Sequence, residues 1–174
     1  MSMSGIPHLR TARLHLRVPA MDDAPALAAA IDDYDVAKWL SVVPHPYTLA
    51  DAEWFIGEIL EGRLRGWLID DGALAGVVGL DDELGYWLAP RAQGRGYATE
   101  AAAAVLDWAF AGGAEEVTSG HFLDNARSAR VLEKLGFRPT GLRAIPCRAR
   151  GHDMDSRRMV LTRADWLERR AAIR

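Results

Sequence analysis

The order of apolar and polar positions along the chain predicts that strands and helices alternate. Residues 13–18 alternate polar and apolar side chains with a period of two, which is typical of a half-buried strand. Farther along, Asp70-Asp71-Gly72 separates two apolar runs, and Asp-Gly in that position is a strong hairpin signal. Residues 52–60 instead space apolar side chains three and four positions apart, as on one face of a helix. Because both periods occur, the sequence predicts a mixed α/β fold.

The remaining segments extend the same alternation. The predicted helices lie at about residues 23–31, 48–61, 96–110, 128–135 and 165–170. The predicted strands lie at about residues 13–18, 66–70, 73–80, 83–89, 116–122, 137–145 and 154–162. This count predicts a single domain over residues 1–174, with one mostly antiparallel sheet of about seven strands. Residues 1–9 are predicted to be a flexible N-terminus.

Local capping signals support three of these helices. Thr48 is followed three residues later by Asp51, which is a partial capping box for the second helix. Asn125 is a predicted N-cap for the helix at 128–135. Gly112-Gly113 is a natural stop for the helix that begins near residue 96.

Composition and charge mainly exclude classes of function. The net charge of −3 offers no basic excess, so nucleic acid is not an expected partner. Cys147 is the only cysteine, and one cysteine makes neither a disulfide framework nor a cysteine-based zinc site. The five histidines lack metal-ligand spacing, and we expect no metal. No long apolar span suggests a membrane segment, which predicts a cytoplasmic protein.

The most distinctive stretch lies where the predicted strand at 83–89 passes into the helix that follows. Pro90 stops the strand, and Gly94 and Gly96 flank Arg95 just before the helix begins. The free N–H groups at a helix N-terminus bind anions, phosphate above all, and glycine admits a close approach. The stretch is neither a Walker A motif nor a complete dinucleotide fingerprint. Taken alone, it fits a phosphate site and a simple packing turn equally well.

The residues around this turn resemble the acetyl-CoA-binding motif of the GNAT N-acetyltransferases. The motif here is Arg91-x-x-Gly94-x-Gly96, preceded by LGYWL at 84–88 and followed by YATEA at 97–101. Three more segments match in the family's order: TARLHLR at 11–17, PYTLADA at 46–52 and DNARSARVLEKLGF at 124–137. The resemblance covers about residues 10–168. It is greatest to the branch of ribosomal-protein N-terminal (alanine/serine) acetyltransferases.

This resemblance implies a bacterial-type enzyme that uses acetyl-CoA. In the family, two central parallel strands splay apart and the pantetheine arm lies between them; here these are 83–89 and 116–122. Backbone N–H groups near Leu88 would hold the thioester carbonyl as an oxyanion site. The cofactor-binding residues implied are Leu88, Ala89, Arg91, Gly94, Arg95, Gly96, Tyr97, Ala98, Thr99 and Asn125. Asn125 is also explained as a helix N-cap, and both roles can hold together.

Acetyl transfer needs a neutral amine, a stabilised oxyanion and a protonated or solvated thiolate. Glu83 is the candidate base, acting directly or through water, and is equally well explained as a solvated carboxylate at a strand edge. His121 is a rival base. Many family members carry a tyrosine as general acid seven positions after Asn125, where this chain has Leu132. That departure leaves Ser128, which matches the serine of the N-terminal acetyltransferase branch, to hydrogen-bond the sulfur.

The acceptor is not specified by the sequence. The resemblance implies direct attack, in a ternary complex, by a protein N-terminal α-amine or a small amine. It also makes Trp39, Phe55 and His121 candidate substrate contacts, although aromatic residues at helical spacing are more often core.

Three alternatives stay open at this point. A CoA-binding regulatory or sensor module with little catalysis is favoured by the missing tyrosine and opposed by the intact glycine turn and Ser128. A structural protein that kept the fold is a further alternative. A homodimer could form through apolar residues of the strands at 137–145 and 154–162, but burial within the monomer explains those residues equally well.

Overall fold

The computed structural model describes residues 5–172, in which α-helices and β-strands alternate as the sequence predicts. The helices are α1 (Ala24–Ile31), α2 (Tyr34–Ala37), α3 (Leu49–Leu60), α4 (Tyr97–Ala111), α5 (Ala126–Leu135) and α6 (Arg163–Ala172). The strands are β1 (Leu9–Arg10), β2 (His15–Arg17), β3 (Gly66–Asp70), β4 (Leu74–Leu80), β5 (Leu84–Leu88), β6 (Glu116–Phe122), β7 (Arg138–Cys147) and β8 (His152–Thr162). Within residues 5–172, no helix is long and apolar enough to cross a membrane.

The mixed α/β class is confirmed, but the strands form two antiparallel sheets instead of one. The first sheet has the order β1-β2-β3-β4-β5, and the second has the order β6-β8-β7. β5 and β6 are the strands expected to form the splayed parallel pair, and they belong to different sheets. The prediction of about seven strands in one sheet is therefore corrected, because a periodic pattern locates a strand without showing which strand it pairs with.

Side chains join β5 and β6 near the beginning of β5. The Ser119 hydroxyl donates to the carbonyl of Leu84 at 2.8 Å, and the Thr118 hydroxyl donates to the carbonyl of Asp82 at 3.2 Å. These contacts advance in the same direction along both segments, as expected for parallel strands. Beyond them, the edge of β5 has no ladder with β6 among the described residues. A gap therefore separates the later parts of the two strands.

The first sheet is covered on both faces, and β3 shows how. Trp67 and Ile69 lie in the larger apolar cluster, to which α4 contributes most of its buried side chains. Leu68, between them in sequence, packs instead with residues of α1 and α3. Since successive strand residues point to opposite faces, a strand buried on both sides becomes an unbroken apolar run. The continuous pattern of residues 66–69 has this cause.

The local signals place the helix ends close to their predicted positions. The Thr48 hydroxyl accepts from the Asp51 amide at 3.2 Å, and Asp51 accepts from the Thr48 amide at 2.8 Å. This is the predicted capping box of α3. The Asn125 carboxamide oxygen accepts from the Ser128 amide at 3.1 Å and caps α5. α4 differs from both, because its N-cap is Gly96 and no side chain caps it.

The N-terminal segment is only partly covered by the described residues. Residues 1–4 of the predicted flexible segment 1–9 lie outside them. The part that is described is attached to the domain: Pro7 accepts a hydrogen bond from the Trp67 indole at 2.7 Å, and Leu9 begins β1. Trp67 lies in β3 and Leu9 in β1, so both contacts attach this segment to the first sheet.

The closing strands differ in how much of their apolar surface is buried. Met159 and Leu161 of β8 are buried within the monomer. Leu142 of β7 is exposed, as are most residues of that strand. Burial within the monomer therefore explains Met159 and Leu161 of β8 but not Leu142 of β7.

Candidate active site

The free edge of β5 presents a row of backbone groups to the gap. The Ala89 amide donates to the carbonyl of Ala75 in β4, and alternate residues of an antiparallel strand face the same neighbour. Leu84, Tyr86 and Leu88 therefore direct their backbone N–H and C=O groups toward β6. Side chains from that direction do reach the Leu84 and Leu88 carbonyls, at 2.8 and 3.2 Å. The Leu88 amide thus faces the gap, whereas the Ala89 amide is already used.

The glycine turn delivers the chain from β5 into α4. Gly94 and Gly96 have φ values of 75° and 78°, in the left-handed region that side chains with a Cβ rarely adopt. The first N–H groups of an α-helix have no intrahelical partner, and here no side chain caps them. The amides at the start of α4, at Tyr97, Ala98 and Thr99, are therefore directed out of the helix end. That arrangement suits an anionic ligand.

Two arginines lie at this helix end, and only Arg95 was singled out from the sequence. The guanidinium of Arg95 is 6.0 Å from the centre of the Tyr97 ring. The guanidinium of Arg13 is 4.9 Å from the same ring, and its Nη2 lies 3.5 Å from where a Cβ on Gly96 would be. Arg13 belongs to the TARLHLR segment, so the motif was noted but its position against the glycine turn was missed. Nothing local in the sequence joins two segments more than 80 residues apart.

Glu100 holds Arg13 in this position. Its carboxylate accepts from Arg13 Nε at 2.7 Å and from the Thr11 hydroxyl at 2.6 Å. Burial raises the pKa of Glu100, while the hydrogen bonds from Thr11 and Arg13 lower it, and the result lies below the ordinary value. The charge of an acidic residue in the first turn of α4 is thereby paired within the protein. The helix end keeps its positive potential for a ligand.

Arg91 has a different position from the one expected of a phosphate ligand. Its guanidinium donates to Asp71 at 2.8 Å and to the carbonyl of Leu74 at 2.8 Å. The hydrogen bond from Arg91 is the main reason that the pKa of Asp71 falls to about 2. Arg91 therefore fastens the start of the glycine turn to the β3–β4 hairpin.

Tyr86 and Ser128 meet across the gap. The Tyr86 hydroxyl lies 2.9 Å from Ser128 Oγ, and burial raises the pKa of Tyr86 to about 12. Leu132, at the position of the usual tyrosine, is fully buried in the core. Sequence analysis assigned no role to Tyr86. The signal was present, because the two-residue period places its side chain on the same face as those of Leu84 and Leu88.

A second contact spans the gap near its open end. The Gln93 carboxamide donates to the carbonyl of Leu88 at 3.2 Å and accepts from Arg127 at 2.7 Å. The two bonds connect the end of β5 to the first turn of α5. Sequence analysis had also assigned no role to Gln93 or Arg127.

The two candidate bases have partners of their own. Glu83 stands in the turn before β5, is 45% exposed, and forms an ion pair with Arg158 of β8. His121 lies in β6, with Nδ1 2.9 Å from the carbonyl of Phe122. Among the described residues, no hydrogen bond joins either candidate to Ser128.

Trp39 and Phe55, the candidate substrate contacts, have structural partners. The ring of Trp39 is contacted by Lys38 Nζ at 5.3 Å and by the Arg150 guanidinium at 4.8 Å, which are cation–π distances. Arg150 also donates to the carbonyl of Lys38 at 2.8 Å, so the contact fastens the segment after α2 to the β7–β8 turn. Phe55 packs against the apolar cluster between α3 and the first sheet.

Cysteine and metal chemistry find no support within residues 5–172. Cys147 is a free, buried thiol 3.5 Å from the carbonyls of Lys38 and Leu40. The described residues contain no group of three or more histidine, cysteine, aspartate or glutamate side chains that could hold a metal ion.

Comparison with known proteins agrees with this geometry. The sequence model of the acetyltransferase (GNAT) domain matches residues 13–138. A putative acetyltransferase from T. thermophilus is 25% identical, with a TM-score of 0.80 over 98% of this chain and 97% of that one. Ribosomal-protein-S5-alanine acetyltransferase from Vibrio fischeri is 19% identical, with a TM-score of 0.79 over 92% and 99% of the two chains. Spermidine N-acetyltransferase from Vibrio cholerae, solved with CoA and spermine, is 19% identical, with a TM-score of 0.76 over 90% and 99%. Since the family model covers residues 13–138 of the 174, the chain belongs to the GNAT acetyltransferase family.

Proposed function

We propose that this protein transfers the acetyl group of acetyl-CoA to a primary amine, by direct attack in a ternary complex. The observation that carries the proposal is the uncapped N-terminus of α4, which follows two left-handed glycines and adjoins the free edge of β5. A ligand with a phosphate group on an extended arm that carries amides needs two neighbouring features. One is an anion site for the phosphate, and the other is an unpaired strand edge for the amides.

The residues present fit acetyl-CoA. The amides of Tyr97, Ala98 and Thr99 would receive the pyrophosphate, with the charge of Arg95 and the Arg13–Glu100 ion pair beside it. The backbone groups of β5 that face the gap would pair with the amides of the pantetheine arm, as a neighbouring strand would. Gly94 and Gly96 leave the turn without side-chain bulk at this point. Arg91 supports the site indirectly through its anchor on Asp71.

Each step of acetyl transfer can be assigned to residues of this chain. The Leu88 amide, directed into the gap, would donate to the oxyanion that develops on the thioester carbonyl. Ser128 would hydrogen-bond the departing sulfur. Glu83 would take the proton lost by the amine, directly or through water, and its 45% exposure keeps it accessible. His121 remains the alternative base.

We propose a protein N-terminal α-amine or a small amine as the acceptor. An α-amine has a pKa near 7.7–8.0, whereas lysine is near 10.4, so the α-amine is easier to deprotonate at neutral pH. The easier proton asks less of a base, which suits an exposed carboxylate such as Glu83. The two structural neighbours from Vibrio are named for acetylation of a ribosomal protein and of spermidine. At 19% identity each shows the fold alone, so neither fixes the acceptor.

The test is thiol release from acetyl-CoA by the purified protein. Acceptors would be short peptides with free or blocked N-termini, polyamines and single amino acids. We expect release that depends on one acceptor class and is lost when that amine is blocked. If acetyl-CoA raises the melting temperature but no acceptor gives release, the protein is a CoA-binding module. If acetyl-CoA changes nothing, the cofactor proposal is wrong as well.

A further inference from the structure

The contact between Tyr86 and Ser128 joins β5 to α5 across the gap where the proposed thioester would lie. The Tyr86 hydroxyl is 2.9 Å from Ser128 Oγ and 3.4 Å from the Ser128 carbonyl oxygen. Both side chains are only partly buried, so a ligand in the gap can reach them. The serine is also fixed through its backbone, because its amide donates to Asn125 at 3.1 Å. Two polar side chains thus make three contacts with one serine.

Either hydroxyl can donate in this contact. The phenol is the more acidic of the two, and when it donates, Ser128 Oγ is the acceptor. Burial raises the pKa of Tyr86 to about 12, which keeps the phenol protonated throughout the neutral range. With Oγ already accepting from Tyr86, the hydrogen of the serine hydroxyl is available for a ligand in the gap.

We propose that Tyr86 is a positioning residue, which orients the hydroxyl of Ser128 toward the sulfur that leaves during acetyl transfer. The proposal rests on the function proposed above and extends it. It also explains how the chain can manage with Leu132 at the position of the usual tyrosine. A donor is supplied from β5 and α5 together instead of from one tyrosine of α5.

The transfer balances without a proton from Tyr86. The amine nitrogen forms a bond to the thioester carbon, the carbon–sulfur bond breaks, and its electron pair stays on sulfur. The Ser128 hydroxyl donates to that thiolate as it forms. The proton lost by the amine ends on sulfur, and the products are the amide and CoA. Tyr86 and Ser128 end the cycle in their starting protonation states.

The first experiment compares four variants by steady-state kinetics with saturating acceptor. Tyr86→Phe keeps the ring and removes the donor, and we expect kcat to fall by about tenfold, the value of one lost hydrogen bond, with KM for acetyl-CoA unchanged. Ser128→Ala should lower kcat at least as much. Because Tyr86 acts through Ser128, the double variant should be no slower than Ser128→Ala alone. Tyr47→Phe is the matched control: burial also raises the pKa of Tyr47 to about 12, and it packs in a different cluster.

A second measurement does not depend on turnover. The thiol pKa of protein-bound CoA is followed by the ultraviolet absorbance of its thiolate. A donor aimed at sulfur favours the thiolate, so the pKa of bound CoA should lie below that of free CoA and rise in Tyr86→Phe. Tyr47→Phe should leave it unchanged.

The outcomes separate this inference from the proposed function. The inference is wrong if Tyr86→Phe leaves both kcat and the thiol pKa at wild-type values. It is also wrong if kcat of the double variant falls by the product of the two single-variant factors. If no acceptor gives turnover but Tyr86→Phe still raises the pKa of bound CoA, the proposed activity fails and the positioning of Ser128 stands.

Discussion

Arg158 lies across the backbone of Gly120 and forms an ion pair with Glu83. A Cβ on Gly120 would collide with the Arg158 guanidinium, which therefore occupies the space that any other residue would fill. Arg158 belongs to β8, Gly120 to β6, and Glu83 precedes β5. The Arg158 side chain thus crosses the neighbouring strand β6 and positions Glu83, the candidate base, at the beginning of β5.

We expect Glu83→Gln to lower kcat/KM by about 10²-fold at neutral pH, which is the lower end for removal of a general base. Stability should change by less than about 1 kcal/mol, because an ion pair with 45% exposure of the carboxylate is weak. Steady-state kinetics and thermal unfolding check both parts. Glu115→Gln is the control, since Glu115 is likewise an exposed glutamate paired with an arginine, Arg163. Unchanged kcat/KM in Glu83→Gln would show that Glu83 is only a solvated carboxylate.

The glycine turn allows a matched test of cofactor binding. Gly94 and Gly151 have the same φ of 75°, and nothing lies within 4 Å of a Cβ built on either. Alanine at each should cost about 1 kcal/mol in stability, since an L residue is strained in the left-handed region. Only Gly94→Ala should also weaken acetyl-CoA binding, measured by calorimetry, because its methyl group and altered turn lie at the proposed pyrophosphate site. Equal affinities of the two variants would contradict that location.

Asp71 and Asp81 should affect the pH dependence of stability with opposite signs. The Arg91 hydrogen bond lowers the pKa of Asp71 from 3.8 to about 2. The ionised Asp71 therefore stabilises the folded protein above the unfolded pKa, and this stabilisation is lost as the pH falls toward 2. Burial raises the pKa of Asp81. The protonated Asp81 therefore stabilises the folded protein below the unfolded pKa, and this stabilisation is lost as the pH rises through the pKa of the folded state.

Melting temperatures measured between about pH 3 and pH 7 test these signs. Asp71→Asn should lower the melting temperature at pH 7, and the deficit should shrink as the medium becomes acidic. Asp81→Asn should raise it at pH 7, and that gain should also shrink in acid. Asparagine at position 81 can still accept from the Arg65 amide, so the variant tests the charge alone. An Asp71→Asn variant as stable as the wild type at pH 7 would show that Arg91 does not stabilise the ionised form of Asp71. A lower melting temperature for Asp81→Asn at pH 7 would contradict the effect of burial on Asp81.

Local patterns were enough to locate most of the secondary structure. The strand at 116–122 and the helix after Thr48 were predicted within a residue or so, because each has a clear period and a capping or turn residue at its end. The error lay in the sheets. β5 and β6 lie next to each other in the chain order of strands, yet backbone pairing between them is replaced by side-chain contacts from Thr118 and Ser119. Whether two strands pair depends on packing that no period encodes.

The candidate site shows the same division between local and distant information. Gly94 and Gly96 could be recognised because a positive φ before a helix needs glycine, which is a local requirement. Arg13 at the helix end could not be placed, because its position depends on Glu100, 87 residues away in sequence. The period of β5 could place Tyr86 on one face of its strand, but its contact with Ser128 could not be predicted, since Ser128 lies on a separate element.

The single cysteine should be unreactive in the folded protein. Cys147 is 1% exposed, at the end of β7, with its sulfur 3.5 Å from two backbone carbonyls of the segment that follows α2. Modification by a disulfide reagent needs the thiolate and access to the sulfur, and burial withholds access. We expect no labelling of the native protein during the thiol-release assay, and one thiol per chain after denaturation in guanidinium. Free CoA is the positive control for the reagent. Labelling of the native chain at the rate of free CoA would mean that the contact between the β7–β8 turn and the segment after α2 opens in solution.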